Sequence, residues 1–131
     1  MAAAESYPED LKYHEEHDWA RVEGEEAVLG ITWFAADALG ELVHFEPPEV
    51  GATVTKDQSY GEVESVKAVS DLIAPLSGEV LEVNQQVVDA PETVNEDPYG
   101  NGWLVRIRLA DSGEVDALLD AGAYRQVLAD Q

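Results

Sequence analysis

Alternation of apolar and polar positions predicts a mainly β chain. The weakly similar passages Leu39-Gly-Glu-Leu-Val43 and Leu76-Ser-Gly-Glu-Val80 suggest two halves built alike. We therefore expect a flattened β-barrel or β-sandwich hybrid. The stretches with strand spacing are residues 19–22, 27–31, 41–45, 52–55, 62–66, 81–83 and 103–109.

Helical spacing occurs in two places. Thr32 is a candidate N-cap for a short helix over residues 33–39, which Gly40 would end. C-terminal helices are expected near 112–129; the first would begin with the capping-box pattern Asp111-Ser-Gly-Glu114 and end at Gly122.

Length and composition indicate one globular domain over residues 1–131. With 131 residues, 45% of them hydrophobic, the chain can bury a core. We expect a loose lead-in over 1–10, a β core over 11–109 and a helical segment over 110–131. Residues 91–102 have the composition of a loop.

The formal net charge of −21 excludes two classes of partner. Phosphate backbones and anionic membrane surfaces are both negative, so this chain would be repelled by nucleic acid and by such membranes. No apolar run approaches the roughly 20 residues of a membrane span. The first ten residues resemble neither a signal peptide nor a mitochondrial transit segment, so we expect a cytosolic or an already processed organellar protein.

Signals for catalysis are weak throughout. The chain has no cysteine, so any redox chemistry must come from an attached or bound group. Neither a nucleophile elbow nor a glycine-rich phosphate loop occurs. His14 and His17 are three residues apart, which on a strand places them on opposite faces and does not favour a metal site.

Lys67 is the residue that stands out. It is one of three lysines and the only one inside a dense apolar pattern. We expect two strands, 62–66 and 81–83, joined by an ordered connection that holds Lys67 and Asp71. A lysine there can be a merely solvated residue, but a lone cation on a turn is suited to covalent attachment. Nearby carboxylates would guide an enzyme to it or simply be solvated.

A longer motif surrounds this lysine. Gly61-Glu-Val-Glu-Ser-Val-Lys67-Ala-Val-Ser-Asp71, followed by Ala74-Pro-Leu-Ser-Gly-Glu-Val80, resembles the H protein of the glycine cleavage system. The resemblance extends in order along nearly the whole chain, from His17-Asp-Trp19 to the Leu118-Leu-Asp-Ala-Gly-Ala-Tyr124 tail. Biotinyl domains have Met on both sides of their lysine, whereas Val66 and Ala68 flank this one, so lipoyl is favoured.

The resemblance implies a lipoyl/biotinyl-type fold and a non-catalytic carrier with lipoate on Lys67. It implies shuttling of an aminomethyl group from glycine decarboxylase to a tetrahydrofolate-dependent aminomethyltransferase, and then of electrons to dihydrolipoyl dehydrogenase. A lipoate ligase or lipoyl transferase would modify Lys67, and Glu64 and Asp71 are candidate contacts of the arm or the ligase. We expect a monomer in a bacterial or archaeal cytoplasm rather than in the mitochondrial matrix.

Some positions depart from the family pattern, and other functions stay open. Trp33-Phe34 stands where relatives commonly have Asp followed by His or Tyr, and Ala38 replaces a polar residue of some relatives. The polar part of a cleft that shelters the arm is therefore in question. The alternatives are an H-like relay that carries lipoate for another pathway, and an interaction module whose Lys67 is never modified.

Overall fold

The computed structural model describes residues 3–131, which fold as two antiparallel sheets with short helices at their edges. The strands are β1 (Lys12–Tyr13), β2 (Asp18–Glu23), β3 (Glu26–Ile31), β4 (Leu42–Glu46), β5 (Thr53–Val54), β6 (Ser59–Ser65), β7 (Val69–Ile73), β8 (Gly78–Val83) and β9 (Val105–Leu109). The larger sheet has the strand order β1-β2-β3-β9-β8-β5, and the smaller has the order β4-β6-β7.

The helices are short. They are α1 (Trp33–Leu39), α2 (Gln85–Asp89), α3 (Thr93–Glu96) and α4 (Ala121–Ala129), with a 3-10 helix over Ser112–Ala117. The Thr32 side chain accepts a hydrogen bond from the Ala35 N–H, so the predicted cap and bounds of α1 are confirmed. No helix within residues 3–131 is long and apolar enough to cross a bilayer.

The main core lies between the two sheets. It takes Leu29 and Ile107 from the larger sheet and Phe45, Val63 and Leu72 from the smaller, all at most 1% exposed. On β9 the apolar residues alternate inward with outward arginines, as its sequence predicts. The mainly β, sandwich-like fold is confirmed, and the sheets do not close into a barrel.

A second apolar cluster joins the two ends of the chain. Tyr7 and Leu11 pack with Tyr13 and Tyr124. The rings of Tyr13 and Tyr124 stack at 4.8 Å between centroids. Residues 3–10 form no helix or strand, yet Tyr7 is 5% exposed. Residues 3–10 of the predicted lead-in are therefore anchored rather than loose, and its first two residues lie outside the described part of the chain.

Other local expectations were wrong. The connection after Lys67 contains a strand, β7, and the predicted loop 91–102 contains the helix α3. Gly122 lies in the first turn of α4 instead of ending a helix. The Glu114 carboxylate does not complete the predicted capping box. It accepts hydrogen bonds instead from the N–H and the hydroxyl of Ser77, at 2.8 and 3.0 Å.

Candidate functional site

Lys67 lies at the tip of a tight hairpin between β6 and β7. The strands pair with Glu64 opposite Val69, and the Ser65 N–H donates to the Ala68 carbonyl at 2.8 Å. Only Val66 and Lys67 remain between these hydrogen-bonded residues, so the lysine is at the end of the sheet. Its side chain is exposed and forms no ion pair with any residue in 3–131.

The Ser65 hydroxyl organises this turn. Its oxygen accepts the Lys67 N–H at 3.2 Å and the Ala68 N–H at 3.1 Å, and it also donates to the Ala68 carbonyl at 3.4 Å. Ser65 is 4% exposed, so its position is set by the core beneath. Sequence reasoning missed this role, although serine before a turn is a known turn-forming signal.

The end of α1 provides a ledge under the Lys67 side chain. Gly40 has a φ of 85°, in the left-handed region, and a Cβ placed on it would lie 3.6 Å from Lys67 Cε. Asn95 holds this ledge because its Nδ2 donates to the Gly40 carbonyl at 2.9 Å and its Oδ1 accepts the Leu42 N–H at 2.9 Å. The left-handed φ, rather than a steric conflict with the lysine stem, is therefore what favours glycine at this position.

A cleft of about 210 Å³ adjoins this ledge. Trp33, Ala36 and Gly40 line it from α1 and its C-cap, and Glu92 and Asn95 line it from the α3 side. Apolar surface and carboxylates thus occur together within a short distance of the lysine-bearing turn.

Glu64 and Asp71 lie on the strands that flank the turn. Both are exposed, Glu64 on β6 and Asp71 on β7. They occupy the face of the smaller sheet that points away from the core, since the alternate residues Val63 and Leu72 are buried. The structure brings them to the surface near Lys67 without joining either one to it.

Asp18 is a buried carboxylate that connects the sheets. It is 2% exposed, and its Oδ2 accepts the N–H of Ile73, the last residue of β7, at 3.1 Å. Burial raises the pKa of the Asp18 carboxyl well above its usual range, and the Ile73 hydrogen bond opposes that shift. The side chain thereby fixes the far end of the strand that follows Lys67.

The histidines near Asp18 serve separate partners. His14 Nδ1 accepts the Glu16 N–H at 3.0 Å, so Nε2 carries the proton and donates to Asp57 at 2.7 Å. His17 Nδ1 contacts the Tyr124 hydroxyl at 2.8 Å, and burial lowers the pKa of the His17 imidazole. Within residues 3–131 no group of three His, Asp or Glu side chains is placed to hold a metal ion.

The positions that depart from the family pattern are largely structural. Trp33 Nε1 donates to the Ala3 carbonyl at 2.7 Å, which fastens the lead-in to α1. The Phe34 ring packs on His17 at 4.7 Å between centroids. Ala38 is exposed. Both Trp33 and Phe34 pack against the cluster at the chain ends, and Trp33 also lines the cleft beside Lys67.

This architecture defines a class of protein. A two-sheet sandwich that presents a single lysine at a hairpin tip is a carrier domain of the lipoyl/biotinyl type. The family model described as glycine cleavage H-protein matches residues 11–131. The chain belongs to the glycine cleavage H-protein family, and the carrier role in glycine cleavage expected from the sequence is confirmed at that level.

Individual relatives agree with this assignment. The chain is 53% identical over 117 residues to the glycine cleavage system H protein of Symbiobacterium thermophilum, covering 89% of this chain and 91% of the relative. It is 53% identical over 125 residues to that of Halorhodospira halophila, covering 95% and 96%. A crystal structure of a glycine cleavage system H protein from Mycobacterium marinum superposes with a TM-score of 0.86 at 44% identity, covering 93% of this chain and 98% of that one.

Proposed function

We propose that Lys67 carries lipoate through an amide and that the chain is a non-catalytic shuttle of the glycine cleavage system. It would move the aminomethyl group from glycine decarboxylase to the aminomethyltransferase, and then electrons to dihydrolipoyl dehydrogenase. The observation that carries this proposal is the exposed, unpaired Lys67 at the tip of a tight hairpin. We also propose a bacterial cytoplasmic location and a monomeric state.

The residues around Lys67 fit such a group. The turn is exposed from Val66 to Ala68, so a modifying enzyme can surround the amine. Acylation removes the lysine charge. No ion pair within residues 3–131 is lost by that change, because Lys67 forms none with them. When bound, a lipoyl group supplies the disulfide that the cysteine-free chain lacks, for group transfer and two-electron exchange.

This chain's own residues would place the arm and let it move. The Ser65 hydroxyl holds the base of the arm at a defined point, while the exposed stem beyond it stays free to turn. The Gly40 ledge lets that stem lie across the end of α1. Glu64 and Asp71 are proposed as contacts of the arm or of the lipoate ligase, because they flank the turn on both strands.

Intact mass and reconstitution test the proposal. Protein purified from its own host should carry a lipoyl mass increment that maps to Lys67, and Lys67→Arg should remove it. Lys12→Arg, a change at another exposed lysine, is the matched control and should keep the increment. An unmodified Lys67 in the native protein would rule out the carrier function.

Turnover separates glycine cleavage from a lipoyl relay. Lipoylated protein should support glycine decarboxylation and aminomethyl transfer with purified partner enzymes, and Lys67→Arg should abolish both. If the loaded wild type supports neither step but donates lipoate to another acceptor protein, the relay function is favoured.

A further inference from the structure

Asn101 is followed directly by a glycine, in the connection between α3 and β9. An asparagine in this position can be attacked by the next backbone nitrogen, and a glycine obstructs that approach least because it has no Cβ. Asn101 is exposed. Its backbone N–H and carbonyl are hydrogen-bonded, whereas its side-chain amide has no partner within residues 3–131. The group that would be attacked, Asn101 Cγ, is therefore accessible and free to rotate.

The attacking nitrogen, by contrast, is held in place. The Gly102 N–H donates to the Asp97 carbonyl at 2.8 Å, and Gly102 is buried. The Asp97 carboxylate also accepts the Asn101 N–H, at 2.9 Å through Oδ2. Asp97 thus binds both residues of the Asn-Gly pair, and we call residues 97–102 the Asn-Gly turn. The Gly102 nitrogen can attack only after its hydrogen bond to Asp97 has broken, so the reaction requires local opening of this turn.

We propose that Asn101 is a site of spontaneous deamidation and that opening of the Asn-Gly turn sets its rate. In the open turn the Gly102 nitrogen bonds to Asn101 Cγ while the Cγ–Nδ2 bond breaks, and ammonia leaves with the proton of the Gly102 N–H. Solvent water then opens the resulting cyclic imide at either carbonyl, which gives aspartate or isoaspartate at position 101. Water is the only other reactant, and the proposal does not depend on what Lys67 carries.

The isoaspartate product does not fit the closed turn. It routes the main chain through the former side chain, which lengthens the backbone just before Gly102. Gly102 is closely packed, since a Cβ placed on it would lie 2.6 Å from the Asp97 carbonyl oxygen. The carbonyls of Asn101 and Trp103 also accept hydrogen bonds from Asn84 Nδ2, at 2.8 and 2.7 Å, and a longer chain would displace them. A single event therefore leaves the turn permanently altered.

The two other asparagines of the chain serve as internal references. Each is followed by a residue with a side chain, and each has a side-chain amide that is bonded at both ends. Asn84 Oδ1 accepts the Gln86 N–H at 3.1 Å, and Asn95 Oδ1 accepts the Leu42 N–H at 2.9 Å. Both Nδ2 groups donate to backbone carbonyls. In the folded chain these two amides cannot turn toward a backbone nitrogen without losing those bonds.

Peptide mapping of the full-length protein tests the site. Native protein is incubated near neutral pH beside the same protein unfolded in urea, and deamidation is measured from the mass gained when an amide becomes a carboxylate. Conversion at Asn101 should be at least about tenfold slower in the native protein, because only molecules with an open turn react. Asn84 and Asn95 should stay unmodified in the native protein. Equal rates at Asn101 in native and unfolded protein would overturn the proposal, as would native conversion at Asn84 or Asn95 ahead of Asn101.

Asp97→Ala separates opening of the turn from global unfolding. It should accelerate both amide hydrogen exchange at Gly102 and deamidation of Asn101 about fivefold, the change in open population expected from one lost hydrogen bond. Asp97→Asn keeps an acceptor oxygen and should resemble wild type, and it adds no second site because Pro98 has no N–H. Ser65→Ala removes hydrogen bonds from the lysine-bearing turn instead and should leave the rate at Asn101 unchanged.

Three results with these variants would overturn control by the Asn-Gly turn. The first is an effect of Ser65→Ala as large as that of Asp97→Ala, which would indicate reaction through global unfolding. The second is a deamidation rate at Asn101 that does not follow amide exchange at Gly102. The third is an Asp97→Ala protein that stays unmodified at Asn101 while the unfolded chain converts.

Discussion

Removing one hydroxyl, with Ser65→Ala, tests what holds the lysine-bearing turn. The change deletes an oxygen that accepts the N–H groups of Lys67 and Ala68 at 3.2 and 3.1 Å. Because Lys67 and Ala68 are exposed, water can take over both N–H groups, so each lost bond is worth its net value of about 0.5–1 kcal/mol. We therefore expect the free energy of unfolding to fall by about 1–2 kcal/mol, and Tm by roughly 3–10 °C.

The local signature is sharper than the global one. Opening of the turn should become about 5–30 times more frequent, because a free-energy change of 1–2 kcal/mol changes the ratio of open to closed molecules by that factor. Amide hydrogen exchange measured by NMR should show this acceleration at Lys67 and Ala68 through local opening of the turn, whereas exchange at Val63 in the core of β6 can be accelerated only through the accompanying fall in global stability. The rate of lipoylation at Lys67 should fall, because the amine is then presented in many geometries.

Two further variants separate the hydroxyl from other causes. Ser65→Thr keeps the oxygen and should keep slow exchange in the turn. Ser70→Ala removes a hydroxyl from the adjacent strand whose one hydrogen bond within residues 3–131 is to the Asp71 carbonyl, and it should leave the turn unchanged. If Ser65→Ala and Ser70→Ala gave the same exchange at Lys67, the hydroxyl would not be what holds the turn.

Substitutions at three other positions probe the hydrogen bonding and the packing of the fold. Asn95→Ala should lower the free energy of unfolding in urea by about 2 kcal/mol, because it loses the side chain's hydrogen bonds. Asn95→Asp keeps only the acceptor, and its stability should lie between that of Asn95→Ala and that of wild type. Asp18→Asn should match wild type in stability below the unfolded pKa of about 3.9 and exceed it increasingly as pH rises above that value. Ionising a buried carboxylate is unfavourable, whereas the amide stays neutral and its oxygen still accepts the Ile73 N–H; a constant difference across pH would contradict this. Gly78→Ala should lower stability by about 3 kcal/mol in thermal melts because its Cβ would overlap the Arg108 carbonyl oxygen, and a wild-type melting temperature would refute that clash.

Elements that depend on neighbours in the sequence were predictable. The Thr32 cap and the Gly40 terminus of α1 are local signals, and the structure shows both. Alternation also located β9, because one face of that strand is buried and the other is solvated. The lysine itself could be selected because its rarity and its motif are properties of the sequence alone.

Features that depend on distant partners were not predictable. β7 was interpreted as a connection because only Leu72 of its five residues is fully buried, which leaves a weak strand pattern. The local sequence places Glu114 in a capping box, but its partner Ser77 is 37 residues away. The alignment of Glu46 opposite Glu62 across β4 and β6 likewise exists only once folding has set the register of these strands.

The cluster that joins the chain ends constrains the order of folding during synthesis. Tyr7 packs edge-to-face on Tyr124, with ring centroids 5.5 Å apart. At ribosomal rates the interval between the synthesis of these two residues is roughly 5–25 s, during which Tyr7 and Leu11 lack the part of their native cover that α4 provides. Such non-local contacts also slow folding itself. A nascent chain can therefore complete the sandwich core before this cluster, and loss of α4 would leave the start of the chain as an exposed aromatic segment open to proteases or chaperones.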